Sequence, residues 1–374
     1  MRRKTRGKDN EGCPREYNNS SYYVYSSTVN FFNIGNKMSK PIYLSNSGIN
    51  TYLDCGEKYR LHYLELIRMN YTKSSFTFGS AVDGAVEVML QNFRGDDYES
   101  PMDTFISILT NYDINGKTYT LPKTSYCRYA KSDVQVELLD EKQLAEITEY
   151  MEDELEFDMT EYSVADFWKY YDEATKRKAD LTKQDFLAFA FIAWNCLISK
   201  GRMILPRLQD WVDENVVEVH STQHEIRIEN EHGDILRGYL DFVLTLKNGK
   251  KTLIDLKTSG NPKGDYPEGC VETSQQLHIY FQEVDAEEAG YLVAGKKILK
   301  KKEPRVTIRE VYGKISDEEL DKTFDKVEKV LYDIKEEKFE KNLEGCWAYG
   351  GCQYREYCKK GSMKGLVKLE NKDE

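Results

Sequence analysis

The sequence predicts an α/β protein, because its apolar residues follow a helical spacing in some segments and a strand-like pattern in others. Helices are indicated from Ser45 and from Phe78, where apolar residues recur every three or four positions. Strands are indicated at 216–228, 240–246 and 252–256, which are apolar, alternating or rich in β-forming residues.

Composition is that of a soluble globular protein long enough for one large domain or two ordinary ones. The chain has 374 residues, of which 31% are charged and 40% are hydrophobic. No apolar run reaches the ~18 residues of a membrane span. The net charge is −11, so any contact with nucleic acid has to come from local basic surface. One stretch, 296–305, holds six basic residues, although a solvated turn would have the same composition.

The chain divides by composition. Residues 1–37 lack clear periodicity, and Met38 resembles a natural start, so we expect a disordered or spurious N-terminal extension. Glu137–Glu161 is strongly acidic and predicts a solvated helix, while Asp185–Ile204 predicts an apolar helix ended by Pro206. The expected domains are 38–94 for the N-terminal helical part, 95–214 for a helical insertion, 215–362 for the core, and 363–374 for a flexible tail.

The first predicted helix can be capped by Ser45 or Ser47 and contains Cys55. In the second, Asp83 and Glu87 are four residues apart and therefore share a helix face. Two acids on one face can serve a metal site, but they can equally form an exposed acidic surface.

The segment with the clearest chemistry is a β-hairpin that carries Asp241, Asp255 and Lys257. A three-residue loop ending at Gly249 places Asp241 opposite Asp255, with Lys257 on the same face of the sheet. A two-residue loop would turn the two carboxylates to opposite faces. We predict the first register, since carboxylates hold divalent metal and an ammonium can stabilise developing negative charge. The alternative is an edge hairpin with solvated charges.

Three further residues are candidates near this hairpin. Gln276 and Tyr280 are four apart, so a helix places the amide and the phenol on one face. They could orient a phosphate or the lysine, or be incidental polar groups of an amphipathic helix. Glu225 lies in the alternating strand before the hairpin, either as a further acid of the site or as a solvent-facing residue.

The cysteines form a pattern at the C-terminal end. The chain has eight, and nothing in the sequence suggests secretion, so a disulfide framework is not expected. Cys346, Cys352 and Cys358 recur with five residues between neighbours, and Cys55 is the best candidate for a fourth ligand. Four thiolates suit a [4Fe–4S] cluster or structural zinc, whereas unligated thiols remain the alternative.

In their order along the chain, these motifs resemble the RecB/AddB-like, iron–sulfur branch of the PD-(D/E)XK nuclease superfamily, which includes CRISPR-associated nucleases and phage exonucleases. The resemblance runs from about Ser45 to Cys358, apart from the insertion. It implies a restriction-endonuclease-like core, a mixed sheet flanked by helices, with a helical insertion and an iron–sulfur cluster as a staple. The matching segments are Tyr52–Cys55, Gly79–Asp83, Glu225, Gly238–Asp241, Asp255–Lys257, Gln276–Tyr280 and the three late cysteines.

The resemblance also implies roles. Mg²⁺ or Mn²⁺ would be held by Asp83, Asp241 and Asp255, although Asp83 stands where this branch usually has a histidine. Asp241, Asp255, Lys257, Gln276, Tyr280 and Glu225 would be the catalytic residues, and Cys55, Cys346, Cys352 and Cys358 would hold a [4Fe–4S] cluster.

The function that the resemblance implies is therefore metal-dependent DNA hydrolysis by an exonuclease that acts on DNA ends or single strands, in the recombination, repair or processing of phage or bacterial DNA. The expected location is the cytoplasm of a bacterial or phage-infected cell, with no membrane partner. Two alternatives stay open: a single-stranded DNA-binding module with a weak or inactive site, and a subunit of a larger helicase–nuclease or recombination complex.

Overall fold

A computed structural model describes residues 41–69, 74–96, 99–110, 112–114, 117–119, 183–296 and 306–370. The N-terminal extension expected at 1–37 and the acidic helix expected at 137–161 lie outside the described residues.

Two compact units divide the chain. The first unit comprises Met1–Arg60, Glu214–Lys297 and Thr307–Leu343. The second comprises Leu61–Asp213, Ile298–Val306 and Glu344–Glu374. Each unit therefore draws on separate stretches of sequence, and the predicted domain limits stay a prediction.

The first unit holds the large sheet. Its elements are β1 (Tyr43–Leu44), α1 (Asn46–Asp54), α2 (Gly56–Tyr59), β5 (Val216–Glu229), β6 (Ile235–Leu246), β7 (Lys251–Ser259), α6 (Pro262–Asp265), a 3₁₀ turn (Val271–Thr273), α7 (Gln275–Phe281), β8 (Glu288–Gly295), β9 (Ile308–Gly313) and α8 (Asp317–Lys335).

The sheet has six strands and mixed direction. The order β1-β6-β7-β8-β9 combines parallel pairs, β1 with β6 and β7 with β8, with antiparallel pairs, β6 with β7 and β8 with β9. β5 runs antiparallel along the other edge of β6. Strand β8 is buried along its whole length, as expected for a central strand covered on both faces. Together with the helices packed on it, the sheet confirms the expected mixed α/β core.

The β6–β7 hairpin has the predicted register. Phe242 pairs with Ile254 and Thr245 with Lys251, and the Gly249 amide donates to the Leu246 carbonyl at 2.8 Å. Gly249 has φ +83°, the left-handed conformation that a three-residue loop requires at its last position. The turn chemistry therefore sets which side chains of the two strands share a face.

Serine caps fix the helices that pack near the hairpin. Ser45 accepts the Gly48 amide at the start of α1, and Ser274 accepts the Leu277 amide at the start of α7. Of the two serines expected to cap the first helix, Ser45 is therefore the cap. Ser316 and Glu319 form a reciprocal capping box at the start of α8. Each cap satisfies amides that have no partner within their helix.

The second unit is mainly helical in its described part. Its elements are β2 (Ile67–Met69), α3 (Ser74–Phe93), α4 (Pro101–Thr110), β3 (Tyr112–Ile114), β4 (Lys117–Tyr119), most of α5 (Lys183–Asn215), a 3₁₀ turn (Gly345–Gly350), α9 (Arg355–Lys360) and β10 (Leu366–Lys368); a π-helical turn (Arg60–Leu64) leads into it.

Close packing in the second unit depends on small residues. A Cβ at Gly84 of α3 would lie 2.3 Å from Ile108 of α4, and one at Gly201 of α5 would lie 2.4 Å from the Phe105 ring. Phe105 also meets Phe78 edge to face, with ring centroids 5.6 Å apart. The three helices thus approach at positions where a side chain is missing.

Two expectations about the helices were wrong. The apolar helix does not end at Pro206, because α5 continues to Asn215. Pro206 is exposed, while Ile204, Leu208 and Val212 on the same helix are fully buried, so burial outweighs the hydrogen bond lost at the proline.

Cys55 does not lie within a helix. It has an extended backbone, φ −168° and ψ 113°, between α1 and α2. The next residue, Gly56, lies so close to the segment after α8 that a Cβ there would be 2.9 Å from the Glu340 nitrogen. This close approach explains the break between the two helices.

Strand β10 lies within the segment expected to be a flexible tail. Leu366 pairs with Met69 and Lys368 with Ile67, in an antiparallel pair with β2. None of the helices in the described ranges has the length and apolarity needed to cross a membrane.

Candidate active site

Asp241 lies where β6 loses its neighbour on one edge. The pairing of β6 with β1 ends at Leu236, and its pairing with β7 begins at Phe242. Both neighbours must use the same edge, since β5 occupies the other. In this gap the Leu256 amide of β7 donates to Asp241 Oδ2 at 2.8 Å. The carboxylate therefore takes the place of a backbone acceptor and is held against β7.

Asp255 and Lys257 lie two positions apart on β7 and therefore share a face of the sheet. The strand pairs with β8 through both residues, so its backbone is fixed there. Asp255 is 1% exposed and Lys257 is 6% exposed. Lys257 Nζ lies 2.5 Å from Asp255 Oδ2, which makes a buried ion pair. Extending the hairpin register by one pair places Asp241 opposite Asp255.

Gln276 connects this pair to α7. Its Oε1 accepts from Lys257 Nζ at 3.3 Å, and its Nε2 donates to Asp255 Oδ1 at 3.0 Å. Nε2 also lies 2.9 Å from Tyr280 Oη, one helical turn further along. Gln276 and Tyr280 are both buried. The structure thus brings together four of the predicted site residues in one buried polar network, with Asp241 joined through the Leu256 amide.

Burial dominates the electrostatics of the network. It raises the pKa of Asp255, while the Lys257 ammonium beside it acts in the opposite direction. Burial also raises the pKa of Tyr280 well above its ordinary value, and the nearby Asp255 charge adds to this. Tyr280 therefore serves as a neutral hydroxyl. Lys257 supplies the positive charge that balances Asp255 in the interior.

Glu225 shares a face with Asp241 but is engaged elsewhere. It pairs with Tyr239 across β5 and β6, and Tyr239 is two residues from Asp241 on the same strand. Its Oε1 accepts from Arg237 Nε at 2.5 Å, and both side chains are nearly half exposed. The described contacts therefore place Glu225 in a surface ion pair, and its catalytic role stays a prediction.

Asp83 and Glu87 lie on α3 of the second unit, and both are half-buried. Glu87 Oε1 accepts from Gln91 Nε2 at 3.3 Å, and burial raises the pKa of Glu87. The metal-binding role predicted for Asp83 stays a prediction, since its side chain belongs to a different unit from the hairpin.

The four cysteines expected to hold a cluster are of intermediate exposure, and none of them forms a disulfide with another described residue. Cys55 Sγ accepts the Asn342 amide at 3.4 Å in the first unit. In the second unit, the Cys352 amide donates to the Cys346 carbonyl at 3.0 Å, and Cys352 and Cys358 pack against buried Tyr354. Over the described residues, no group of three or more His, Cys, Asp or Glu side chains is arranged to hold a metal ion. The iron–sulfur cluster expected on these four cysteines stays a prediction.

Asp241 and Asp255 do fit one divalent cation. Both offer carboxylate oxygens from adjacent strands, the ligands that Mg²⁺ and Mn²⁺ prefer. Asp255 Oδ2 is buried and accepts no hydrogen bond of good geometry from the described residues, although Lys257 is ion-paired with it. An oxygen of this kind can exchange its contact with an ammonium for one with a metal ion.

Three contacts around the site were not predicted. The Leu256 amide that holds Asp241 follows from the gap in strand pairing, which the hairpin register alone does not reveal. Arg237, which binds Glu225, is visible only once β5 is paired. Gln275 Nε2 donates to Asn46 Oδ1 at 2.7 Å and joins α7 to α1. The sequence signal for that contact is the serine cap that precedes each helix.

A comparison with protein-family models identifies the superfamily of this chain. The family model described as "PD-(D/E)XK nuclease superfamily" matches residues 43–359. No curated protein matched. Among the solved structures that match is one titled "Crystal structure of SSO0001", with 19% identity and a TM-score of 0.25, covering 50% of this chain and 85% of that one. A likeness with so low a score adds nothing to the argument. The family match covers most of the chain and includes the hairpin, so the protein belongs to the PD-(D/E)XK nuclease superfamily.

Proposed function

We propose that this protein hydrolyses the phosphodiester bonds of DNA, at the site formed by Asp241, Asp255 and Lys257. Membership of the superfamily implies a nuclease, and nucleases of this superfamily typically use Mg²⁺ or Mn²⁺. The single observation that carries the proposal is the buried Asp255–Lys257–Gln276 network beside Asp241.

Asp241 and Asp255 are the residues that would hold the cation. A divalent ion bound there would neutralise the charge of the phosphate and lower the pKa of water bound to it. The chain prepares this by fixing both carboxylates in advance. The Leu256 amide holds one and the Gln276 amide holds the other, so neither has to be ordered when substrate arrives.

Lys257 is the group placed to act on the reacting phosphate. Its ammonium carries a positive charge in a site with little water, where that charge acts strongly on developing negative charge. Gln276 Oε1 accepts one of its hydrogens and limits the directions in which the ammonium can point. Tyr280 positions Gln276 in turn through the Gln276 Nε2–Tyr280 Oη contact.

The test compares wild-type protein with Asp255→Asn and Lys257→Met on DNA labelled at the 5′ or the 3′ end. Cleavage would be followed in Mg²⁺, in Mn²⁺ and in EDTA, with protein purified without oxygen. We expect metal-dependent cleavage by the wild type and a rate loss of about 10²–10³ or more in each variant, the usual size for losing one stabilising group. The first label released reports polarity and distinguishes end cleavage from internal cleavage.

Lys250→Met is the matched control. Lys250 lies at the turn of the same hairpin, and its Nζ is 2.5 Å from Glu288 Oε2, an ion pair of the same length as that of Lys257. Its loss should leave cleavage unchanged. Equal rates for wild type and Lys257→Met, or equal losses in both lysine variants, would contradict the assignment of the site.

The finer parts of the proposal rest on the sequence resemblance. We propose action at DNA ends or on single strands, in the recombination, repair or processing of phage or bacterial DNA in the cytoplasm. The [4Fe–4S] cluster on Cys55, Cys346, Cys352 and Cys358 is supported by cysteine spacing and by the resemblance alone, and no catalytic step depends on it.

A further inference from the structure

Trp347 is an exposed aromatic residue held beneath two cations. Its side chain is 66% exposed, in the 3₁₀ turn Gly345–Gly350 of the second unit. The Arg355 guanidinium carbon lies 4.5 Å from the ring centroid, and Lys359 Nζ lies 5.1 Å from it. Both distances are within the range of a cation–π contact.

Both cations that contact the ring belong to one helix. Arg355 and Lys359 are four residues apart in α9, so they project from the same face of that helix. Both cation–π contacts to the indole therefore come from α9. The high exposure of Trp347 leaves the rest of the ring open to a flat partner.

The surroundings are basic, although the protein as a whole is acidic. Between residues 353 and 370 the sequence has five basic residues and two acidic ones, against a net charge of −11 for the chain. Lys360, Lys364 and Lys368 are exposed in addition to the two cations at the ring. A polyanion would be attracted to this stretch in spite of the net negative charge of the chain.

We propose that Trp347, with Arg355 and Lys359, forms a platform that binds single-stranded DNA. One unpaired base stacks on the exposed part of the indole, and the basic residues bind the phosphates that flank it. A stacked base and adjacent phosphates are the two features that recur where proteins bind single strands without sequence preference. A base inside a duplex cannot reach the ring, so single strands are preferred. The choice of DNA rests on the proposed nuclease function.

Binding would be measured by the fluorescence anisotropy of a fluorescein-labelled oligo(dT), in EDTA so that the DNA is not cleaved. A length of roughly 16 nucleotides corresponds to the longest binding site of a single OB fold. Trp347→Ala should weaken binding by about 5-fold to about 150-fold, the range for losing one stacked base. Trp347→Phe keeps a ring and should recover most of that loss. Lys359→Gln should make the slope of log K against log salt concentration shallower by about 0.7, the contribution of one phosphate contact.

Tyr332→Ala is the matched control. Tyr332 is also an exposed aromatic residue, 46% exposed, with Lys338 Nζ 4.5 Å from its ring centroid. That lysine is paired with Asp333, and the nearby stretch 328–341 has five acidic residues against four basic ones, so the loss of this ring should not affect binding. Circular dichroism of each variant would establish that the fold is intact.

The outcomes separate this inference from the proposed function. Protein that binds oligo(dT) through Trp347 but never cuts DNA would support the platform and refute the nuclease. Protein that cuts DNA while folded Trp347→Ala binds oligo(dT) as tightly as wild type would refute the platform alone. Equal affinity of wild type for oligo(dT) and for a duplex of the same length would also overturn it.

Discussion

Replacing Gln276 by methionine removes the centre of the buried network while keeping a side chain of similar length. The variant loses the acceptor of Lys257 Nζ, the donor to Asp255 Oδ1 and the contact with Tyr280 Oη. Lys257 keeps its ion pair with Asp255, so its charge stays balanced. The other two buried groups, Asp255 Oδ1 and Tyr280 Oη, each lose the contact with Gln276, and each such loss costs about 1–3 kcal/mol. We therefore expect the free energy of unfolding to fall by ~2–6 kcal/mol.

The same substitution should reduce the rate of DNA cleavage, because the Lys257 ammonium is no longer oriented by its hydrogen bond to Gln276. Losing the orientation of one stabilising group typically costs about 10²–10³ in rate, and the ion pair with Asp255 preserves part of the orientation, so we expect the lower end of this range. Single-turnover cleavage of labelled DNA measures the chemical step, and urea unfolding of the same preparation measures stability. The two measurements together show whether folded enzyme has lost activity.

Gln275→Met is the control for both measurements. Gln275 is the neighbouring residue on α7 and donates to Asn46 on α1, away from the Lys257 network. Its substitution should lower stability without lowering the rate per folded molecule. Folded Gln276→Met that cleaves at the wild-type rate would refute the role of Gln276, as would an equal rate loss in the two glutamine variants.

Three other predictions concern the surroundings of the site. Gly56→Ala should lower the free energy of unfolding by ~1–3 kcal/mol in urea, because its Cβ would meet backbone atoms at 2.9 Å, while Gly260→Ala, with nothing within 4 Å, should have no effect. Burial raises the pKa of Glu87, so the native state binds the carboxyl proton more tightly than the unfolded state does. The protein therefore loses stability as pH rises through the raised pKa. Glu87→Gln should unfold at the same urea concentration as wild type near pH 4 and at a higher urea concentration than wild type near pH 7. Cys352→Ser should remove absorbance near ~400 nm from protein purified without oxygen, whereas Cys270→Ala should retain it; a wild type without this absorbance contradicts the cluster.

The hairpin could be predicted from sequence because its geometry depends on neighbouring residues. A positive φ at Gly249 is a local property, and it determines that Asp241 and Asp255 share a face. The spacing of Gln276 and Tyr280 likewise follows from a single helix. These local rules need no knowledge of how distant segments pack.

Other features depend on distant packing and could not be predicted. The break at Cys55 arises where the segment after α8 crosses Gly56, almost three hundred residues later in the chain. Helix α5 passes through Pro206 because its buried residues on either side outweigh the local penalty of proline. The ion pair of Glu225 depends on the pairing of β5 with β6. In each case a contact made on folding overrides the local preference.

The burial of Asp255, Lys257 and Gln276 is itself an argument for function. Removing two charges from water costs several kcal/mol per ion, and apolar residues of similar volume often stabilise such a position instead. Strand β8, which pairs with β7 at Asp255 and Lys257, is buried throughout and apolar at most positions, so the surrounding sheet would accept apolar side chains there. The sequence nevertheless places an acid, a base and an amide at the site, and satisfies them with one another. A stable fold alone does not require this arrangement, whereas charge stabilisation in a preorganised active site does.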